Sequence, residues 1–255
     1  MTRRLIGKQA MTPAEKQQRY RDLRNPKSKL YRLTAKKQRR AEREAELGAK
    51  IWALPERRAG VLYVDPPIDW EPYSRVTGMD RAAANHYPTM TFERFSAIEL
   101  PAADNCVLFM WAWRDRRLKY AWQFIEDKGF EYKTLHGWKK KKVGTGYILR
   151  DNLELLLIAS RGKPIWPAMG EQAHAAIEDA EPPWEDFFDG IIEAPNPKHS
   201  LKPEIFAEHI GRLWPSTPKL EMYYRALRDP EAERERRAKR EANGWYFYGN
   251  EVERS

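Results

Sequence analysis

The chain has 255 residues, of which 42% are hydrophobic and 33% charged, and its formal net charge is +9. Its one cysteine, Cys106, cannot form an internal disulfide, and no stretch approaches the roughly eighteen apolar residues of a membrane-spanning helix. These features exclude a disulfide-stapled secreted domain. Because the N-terminus also lacks an apolar signal core, we expect a cytoplasmic protein with no membrane partner.

The positive charge is concentrated at the amino-terminal end. Residues 1–60 contain 18 Lys and Arg against 6 Asp and Glu, a balance of +12, whereas the remainder sums to −3. A helix start at Thr12-Pro13 and an interruption at Pro26 predict that residues 1–58 form a basic, mostly helical arm of one or two helices. The arm either contacts nucleic-acid phosphates or is a solvated tail. Five apolar residues of the arm are expected to pack against the body or a partner: Tyr20, Leu23, Leu30, Tyr31 and Leu33.

The apolar strand at residues 61–64 ends abruptly in Asp65-Pro66-Pro67. Two consecutive prolines cannot continue a hydrogen-bonded ladder, so they hold Asp65 at the carboxyl end of the strand, where open α/β sheets place their sites. A carboxylate beside a prolyl carbonyl forms a pair of acceptors that could bind both hydrogens of an exocyclic amine. Such geometry would direct the nitrogen lone pair toward an incoming methyl group. An ordinary strand-ending turn is the alternative interpretation.

The rest of the chain alternates short apolar runs with amphipathic stretches, which predicts an α/β fold. A helix is expected over 115–128 with its stop at Gly129, and another begins at Pro203. His209 and Cys106 are expected to be structural. The α/β body is assigned to residues 59–255. It has elaborations near 167–190, an acidic segment, and near 228–241, an exposed charged helix. Strands are predicted near 61–64, 107–112, 133–138, 153–160, 219–225 and 245–248.

Four consecutive lysines follow Trp138 and precede Tyr147. Basic charge between aromatic side chains favours contact with a single-stranded or flipped nucleotide, and a solvated hairpin tip is the alternative. The predicted substrate contacts in this run are Lys139, Lys140, Lys141 and Lys142.

Several sequence blocks, in this order, resemble the MT-A family of S-adenosylmethionine-dependent adenine N6-methyltransferases, in its bacterial or phage type. The resemblance runs from about residue 60 to residue 251. The blocks are Asp65-Pro66-Pro67, Tyr87-Pro88-Thr89-Met90, Val107-Leu108-Phe109-Met110-Trp111, Arg150-Asp151-Asn152-Leu153-Glu154, Arg161-Gly162-Lys163-Pro164, His199-Ser200-Leu201-Lys202-Pro203, Leu220-Glu221-Met222-Tyr223-Tyr224-Arg225, Gly244-Trp245 and Tyr248-Gly249-Asn250-Glu251.

The resemblance implies a Rossmann-like class I methyltransferase sheet with helices on both faces and a permuted motif order. It implies S-adenosylmethionine as the cofactor and no metal, and it agrees with the lack of a Gly-x-Gly-x-x-Gly fingerprint. The catalytic residues would be Asp65, Pro66 and Pro67. The cofactor-binding residues would be Asp65, Tyr87, Lys202, Glu221, Arg225, Asn250 and Glu251, with Lys202 on the methionine carboxylate.

The chain departs from the family at the residue after Pro67. The family has a tryptophan that packs against the target base, whereas this chain has Ile68. Either the base site is altered or its aromatic comes from Trp70 or Trp111. The predicted base-contacting residues are therefore Ile68, Trp70 and Trp111.

The expected function is methyl transfer to the N6 amine of adenine in DNA. The alternatives are an RNA adenine N6-methyltransferase, a non-catalytic nucleic-acid-binding relative, and a methyltransferase for another planar amine such as cytosine N4 or a glutamine amide. The sequence leaves the oligomeric state open, with a homodimer as one option.

Overall fold

The computed structural model describes residues 12–54, 56–68, 89–112, 117–140, 152–167, 191–194 and 201–249. The acidic elaboration near 167–190 lies outside these residues apart from its first position. Within the described ranges, one sheet contains the strands β1 (Ala59–Val64), β2 (Ala102–Ala112), β3 (Glu131–Lys140), β4 (Leu153–Arg161), β5 (Ile191–Ala194), β6 (Lys219–Met222) and β7 (Trp245–Tyr248).

The order of the strands across the sheet is β5-β3-β4-β2-β1-β6-β7. The pairs β1–β2, β1–β6, β6–β7 and β3–β5 are parallel, whereas β4 runs antiparallel to both of its neighbours. The carboxyl ends of the parallel strands and the start of β4 therefore lie along one edge, which we term the carboxyl edge. The opposite edge is the amino edge. Asp65 follows β1 directly and lies at the carboxyl edge.

Helices cover both faces of the sheet. They are α1 (Pro13–Arg24), α2 (Pro26–Trp52), α3 (Phe92–Ser96), α4 (Leu118–Asp127), α5 (Glu204–Leu213) and α6 (Pro230–Ala242). Alternate residues of β1 point to opposite faces. Leu62 and Val64 pack in a cluster that includes Phe95 of α3 and Phe124 of α4, whereas Val61 and Tyr63 pack in a second cluster with residues of α5. The predicted α/β fold with helices on both faces is confirmed, and it is consistent with a Rossmann-like methyltransferase fold.

The boundaries of some elements differ from the expected ones. Strand β7 has the predicted bounds, but β6 ends at Met222 instead of reaching residue 225. The cause is local, because Tyr223 has a φ of 65°, in the left-handed region, and cannot continue a strand. Helix α3 and strand β5 were not predicted. Helix α6 was expected to be exposed, yet its Glu233 and Arg240 are buried.

Two residues expected to be structural lie in the interior. Cys106 is fully buried on β2, and burial raises the pKa of its thiol to about 12. His209 on α5 is also buried, with Nδ1 3.1 Å from the Arg212 guanidinium. Burial, together with the charge of Arg212, lowers the pKa of His209 to about 3, so its ring is neutral at physiological pH. The expected burial of both residues is confirmed.

The amino-terminal helices divide into an exposed part and a part packed on the body. Asn25 separates α1 from α2, as the interruption at Pro26 predicts. The carboxyl half of α2 packs on the body, with Ile51 buried and the Trp52 indole donating to the Ser216 carbonyl at 3.0 Å. Tyr20, Leu30 and Tyr31 are exposed, so they are not buried against the body, and packing against a partner stays a prediction for them. Leu33 is partly buried, and the side chain of Leu23 lies outside the described residues.

No helix in the described ranges combines the length and the apolar composition needed to cross a bilayer.

Candidate active site at the carboxyl edge

The Asp65-Pro66-Pro67 turn is fixed by backbone hydrogen bonds on both sides. The Asp65 amide donates to the Met222 carbonyl of β6 at 3.4 Å, and the Ile68 amide donates to the Pro66 carbonyl at 2.9 Å. The Met90 amide donates to the Pro67 carbonyl at 2.9 Å. A carbonyl oxygen has two lone pairs, so the Pro66 oxygen keeps acceptor capacity after its bond to Ile68. The turn thus presents a carboxylate and a carbonyl from a rigid segment.

Lys202 joins the turn to strand β4. Its Nζ lies 3.0 Å from Asp65 Oδ1 and 3.0 Å from Glu154 Oε2, and the side chain is only 14% exposed. Glu154 also forms an ion pair with Lys140 of β3. Lys202 stands two residues before α5, and its ammonium lies 5.3 Å from the centre of the Trp111 ring. Asp65, Lys202, Glu154 and Lys140 therefore form a line of alternating charges along the carboxyl edge.

The charges of this cluster control one another's ionisation. Burial raises the pKa of Asp65, as does the nearby Glu154, while the ammonium of Lys202 and the guanidinium of Arg225 oppose the rise. Burial also raises the pKa of Glu154, but Lys202 and Lys140 outweigh it and bring the pKa to about 2. Burial lowers the pKa of Lys202, yet Asp65 and Glu154 move it above its ordinary value. Lys202 and Glu154 are consequently charged at neutral pH, whereas burial favours the protonated form of Asp65.

The two described candidates for the base-stacking position are both buried. Ile68 is 7% exposed and packs in the cluster beneath α3 and α4. Trp111 is 2% exposed, and its indole donates to the Tyr63 hydroxyl at 2.9 Å. The Phe206 ring of α5 approaches Trp111 edge-on at 4.9 Å. Ile68 has no aromatic ring and the ring of Trp111 is buried, so neither residue offers an exposed aromatic surface to a base in this structure. Trp70 lies outside the described residues.

Glu221 and Arg225, both expected at the cofactor, do not share a continuous strand, since β6 ends between them. Glu221 is instead held by the guanidinium of Arg240, which also makes two hydrogen bonds of 2.6 Å to the carboxylate of Glu204. Arg225 remains close enough to Asp65 for its charge to act on that carboxyl group.

The two described lysines of the run, Lys139 and Lys140, lie at the end of β3 and have different surroundings. Lys140 forms the ion pair with Glu154 and lies 5.2 Å from the centre of the Trp138 ring, whereas the side chain of Lys139 is exposed. Alternation along a strand explains the difference, because Trp138 and Lys140 share one face and Lys139 the other. Lys140 is thus a member of the charged cluster. The remaining predicted site residues lie outside the described ranges: Lys141, Lys142, Tyr87, Asn250 and Glu251.

Glu154 and Arg240 are the charged residues of this region to which the sequence assigned no role. The signal for Glu154 was an acidic residue at the start of an apolar strand, which is unusual unless a cation neutralises it. Arg240 gave no comparable signal, since it lies in a run of alternating charges. Among the described residues, no group of three or more His, Cys, Asp or Glu side chains is arranged to hold a metal ion.

Comparison with known proteins gives a methyltransferase relative. No protein-family profile matches the chain. The chain is 24% identical over 212 residues to the Type II methyltransferase M.MunI from Mycoplasma sp, a match that covers 76% of this chain and 84% of that protein. The similarity, together with the α/β sheet, supports a methyltransferase.

Proposed function

We propose that the protein transfers a methyl group from S-adenosylmethionine to the N6 amine of adenine in DNA. The observation that carries the proposal is the contact of Lys202 with Asp65 beside the Asp-Pro-Pro turn, 3.0 Å from Nζ to Oδ1, at the carboxyl edge of the sheet. The similarity to a Type II methyltransferase supports the reaction class. We favour DNA because the sequence resembles the bacterial and phage members of the MT-A family.

The residues of the turn suit the binding of an exocyclic amine. A carboxylate has about four lone-pair positions, so the contact of Lys202 with Oδ1 leaves Oδ2 of Asp65 to accept one N–H. The Pro66 carbonyl accepts the second N–H with the lone pair not used by Ile68. Accepting both hydrogens favours a pyramidal nitrogen whose lone pair is directed away from the turn. The contribution is orientation and electrostatics set in advance of the reaction.

Lys202 keeps Asp65 in the form that can accept these bonds. Burial favours a protonated Asp65, and a protonated carboxyl loses acceptor capacity. The ammonium of Lys202 opposes that protonation. Glu154 in turn fixes Lys202 from the other side at 3.0 Å, so Glu154 acts as a positioning residue.

The charged groups of the cluster also fit the proposed cofactor, which when bound would supply an electrophilic methyl group on a sulfonium. Lys202 has three N–H donors and uses two on Asp65 and Glu154, which leaves one for the methionine carboxylate. Glu221, held by Arg240 and close to the end of β6, is proposed on the ribose side. Tyr87, Asn250 and Glu251 complete the proposed set.

The order of the strands supports the proposed permutation. The strands nearest to β1 on the cofactor side are β6 and β7, which come last in the chain. The turn that binds the amine therefore precedes, in sequence, the strands that would complete the cofactor pocket. This order agrees with the lack of a glycine-rich fingerprint near the amino end.

A non-catalytic nucleic-acid-binding relative is the second candidate. Two observations favour it: Ile68 is buried at the family's aromatic position, and the ring of Trp111 is buried against Phe206 of α5. The contacts of Lys202 with Asp65 and Glu154 favour the enzyme, since a binding-only protein does not require them.

Methylated nucleosides measured by mass spectrometry would test the proposal. The purified protein is incubated with labelled S-adenosylmethionine and, in separate reactions, single-stranded DNA, duplex DNA and RNA, and the polymers are then digested. We expect labelled N6-methyladenine from DNA. Cofactor binding with no methylated product from any polymer would support the binding-only relative. Methylcytosine as the product would contradict our proposal that adenine is the target base.

A further inference from the structure

Helix α2 is anchored to the body by two buried charged residues. The Arg40 guanidinium donates to the carbonyls of Trp166, at 3.4 Å, and Leu213. The Glu44 carboxylate accepts hydrogen bonds from the Ser216 amide at 3.0 Å and from the Thr217 amide and hydroxyl at 2.8 and 2.7 Å. Each buried charge is thus satisfied by several partners, which makes the anchor geometrically specific.

The anchor lies at the amino edge of the sheet, opposite the candidate active site. Residues 213–217 lead into the start of β6, and Trp166 follows the end of the antiparallel strand β4. Both segments therefore meet at the edge where the parallel strands begin. The six-residue strand β1 separates that edge from Asp65 by about 20 Å at 3.3 Å per residue.

The amino half of α2, residues 26–39, carries positive charge away from the anchor. It contains six Lys and Arg and no Asp or Glu, and it spans about 21 Å at 1.5 Å per residue. Lys36, Lys37 and Arg39 are exposed, as are Leu30 and Tyr31, the latter by 76%. Because Arg40 and Glu44 fix the helix axis, these side chains are held in a defined place instead of moving with a loose tail. We call residues 26–39 the basic segment.

We propose that the basic segment is a second nucleic-acid-binding surface, which contacts backbone phosphates outside the active-site footprint. The inference rests on the proposed function for the identity of the polymer as DNA. The exposed cations Lys36, Lys37 and Arg39, in a segment whose sequence has no Asp or Glu, suit a phosphate backbone, and the exposed ring of Tyr31 offers a face to a sugar or base. A symmetric contact between two copies would instead bring like charges together.

The distance between the anchor and the active site has a measurable consequence. The anchor lies about 20 Å from Asp65, which corresponds to roughly six base pairs of a duplex that rises 3.4 Å per base pair. A long duplex reaches the basic segment, whereas an oligonucleotide that only fills the active site does not. The segment should raise affinity for long DNA without changing the affinity for short DNA.

The test uses the full-length protein with Lys36, Lys37 and Arg39 replaced by Gln, which preserves helix propensity. Fluorescence anisotropy measures binding of labelled duplexes of about 10 and about 30 base pairs over a series of KCl concentrations, without S-adenosylmethionine. On the long duplex we expect an affinity loss of at least about tenfold near 0.1 M salt and a salt slope smaller by up to about 2.7, at about 0.9 per lost phosphate contact. The short duplex should bind as it does to the wild type.

The control is Lys50→Gln, which removes a charge from the anchored half of the same helix, where Lys50 pairs with Glu46 at 2.7 Å. It should leave both duplexes unaffected. Wild-type affinity and slope for the triple variant, an equal loss on both duplexes, or no binding of either duplex by the wild type would each overturn the inference. The inference would also be overturned if the triple variant changed its oligomeric state, as measured by light scattering, and kept its DNA affinity. The binding assay needs no turnover, so a failure to methylate adenine leaves its result readable.

Discussion

At the scale of single residues, the cluster depends on Lys202, whose one ammonium contacts two carboxylates at 3.0 Å each. The charge of Lys202 matters for the ionisation of Asp65, because burial already favours the protonated form of that carboxyl group. Removing the cation would leave Asp65 and Glu154 as neighbouring buried acids, which cannot both ionise easily.

We predict that Lys202→Met moves the acid limb of the methyl-transfer rate to higher pH. The pKa of Asp65 is already raised, and the loss of the lysine removes its main opposing influence, so the active anionic form appears only at higher pH. Single-turnover rates between about pH 5 and 9 measure the shift. Lys202→Arg, which keeps the charge, is the control and should shift the limb less. An unmoved limb for Lys202→Met would show that Asp65 does not govern the rate.

Glu154 should make the stability of the protein depend on pH in the acid range. Its pKa falls to about 2 in the folded protein, below its ordinary value, so the stability that it contributes is present above about pH 4.5 and is lost as the pH falls toward 2. Glu154→Gln should cost on the order of 2 kcal/mol at neutral pH and flatten the dependence of stability on pH in that window. Urea unfolding at several pH values measures both effects, and an unchanged pH dependence would contradict the assignment.

The sequence predicted where Asp65 would lie, because the strand and two prolines are local signals. It did not predict that Lys202 would contact Asp65 or that Glu154 would contact Lys202. Those contacts depend on β4 lying two places from β1 in the sheet, which no local pattern encodes. The predicted extent of the strand at 219–225 failed for a local reason, since β6 ends before Tyr223, whose φ of 65° does not fit a strand.

At the scale of elements, α6 shows that a charged helix can have a buried face. Its sequence has few apolar residues, which predicted exposure. In the structure Arg240 is 7% exposed at its side chain and bridges Glu204 at the start of α5 to Glu221 on β6. Helix α6 thereby connects the element that follows Lys202 to the strand next to Asp65.

We predict that Arg240→Met destabilises the protein by about 3–5 kcal/mol, because Glu204 and Glu221 would be left without their buried cation. The matched control is Lys239→Met on the same helix, whose ion pair with Glu208 is exposed and should contribute at most about 1 kcal/mol. Urea unfolding of both variants makes the comparison. Equal stability of the two would mean that Arg240 is not a bridge between α5 and β6.

At the scale of the whole molecule, two charged regions occupy opposite edges of one sheet. The carboxyl edge holds the cluster around Asp65, and the amino edge holds the anchor of α2. The sequence predicted one or two polar helices and their positive charge from composition and proline spacing. It could not predict that residues 40–52 pack on the body, because most of the contact partners are backbone groups of residues 213–217, which have no side-chain signature.

Gly48 provides a test of the anchor. A glycine inside a helix normally costs about 1 kcal/mol relative to alanine, so Gly48→Ala would ordinarily stabilise α2. Here a Cβ at Gly48 would overlap the backbone carbonyl of Ser216. We therefore predict that Gly48→Ala lowers the melting temperature, while Ala49→Ser, at an exposed neighbouring position, changes it little. A raised melting temperature for Gly48→Ala would show that the anchor is loose.

The most direct test of the account is the rate of methyl transfer to adenine by Asp65→Asn, compared with the wild type at saturating S-adenosylmethionine. The asparagine has nearly the same shape but lacks the anionic acceptor, so the account predicts a folded protein whose rate falls by at least about a hundredfold. Adenine N6 methylation at the wild-type rate by this variant would contradict the role of Asp65 and, with it, the proposed mechanism.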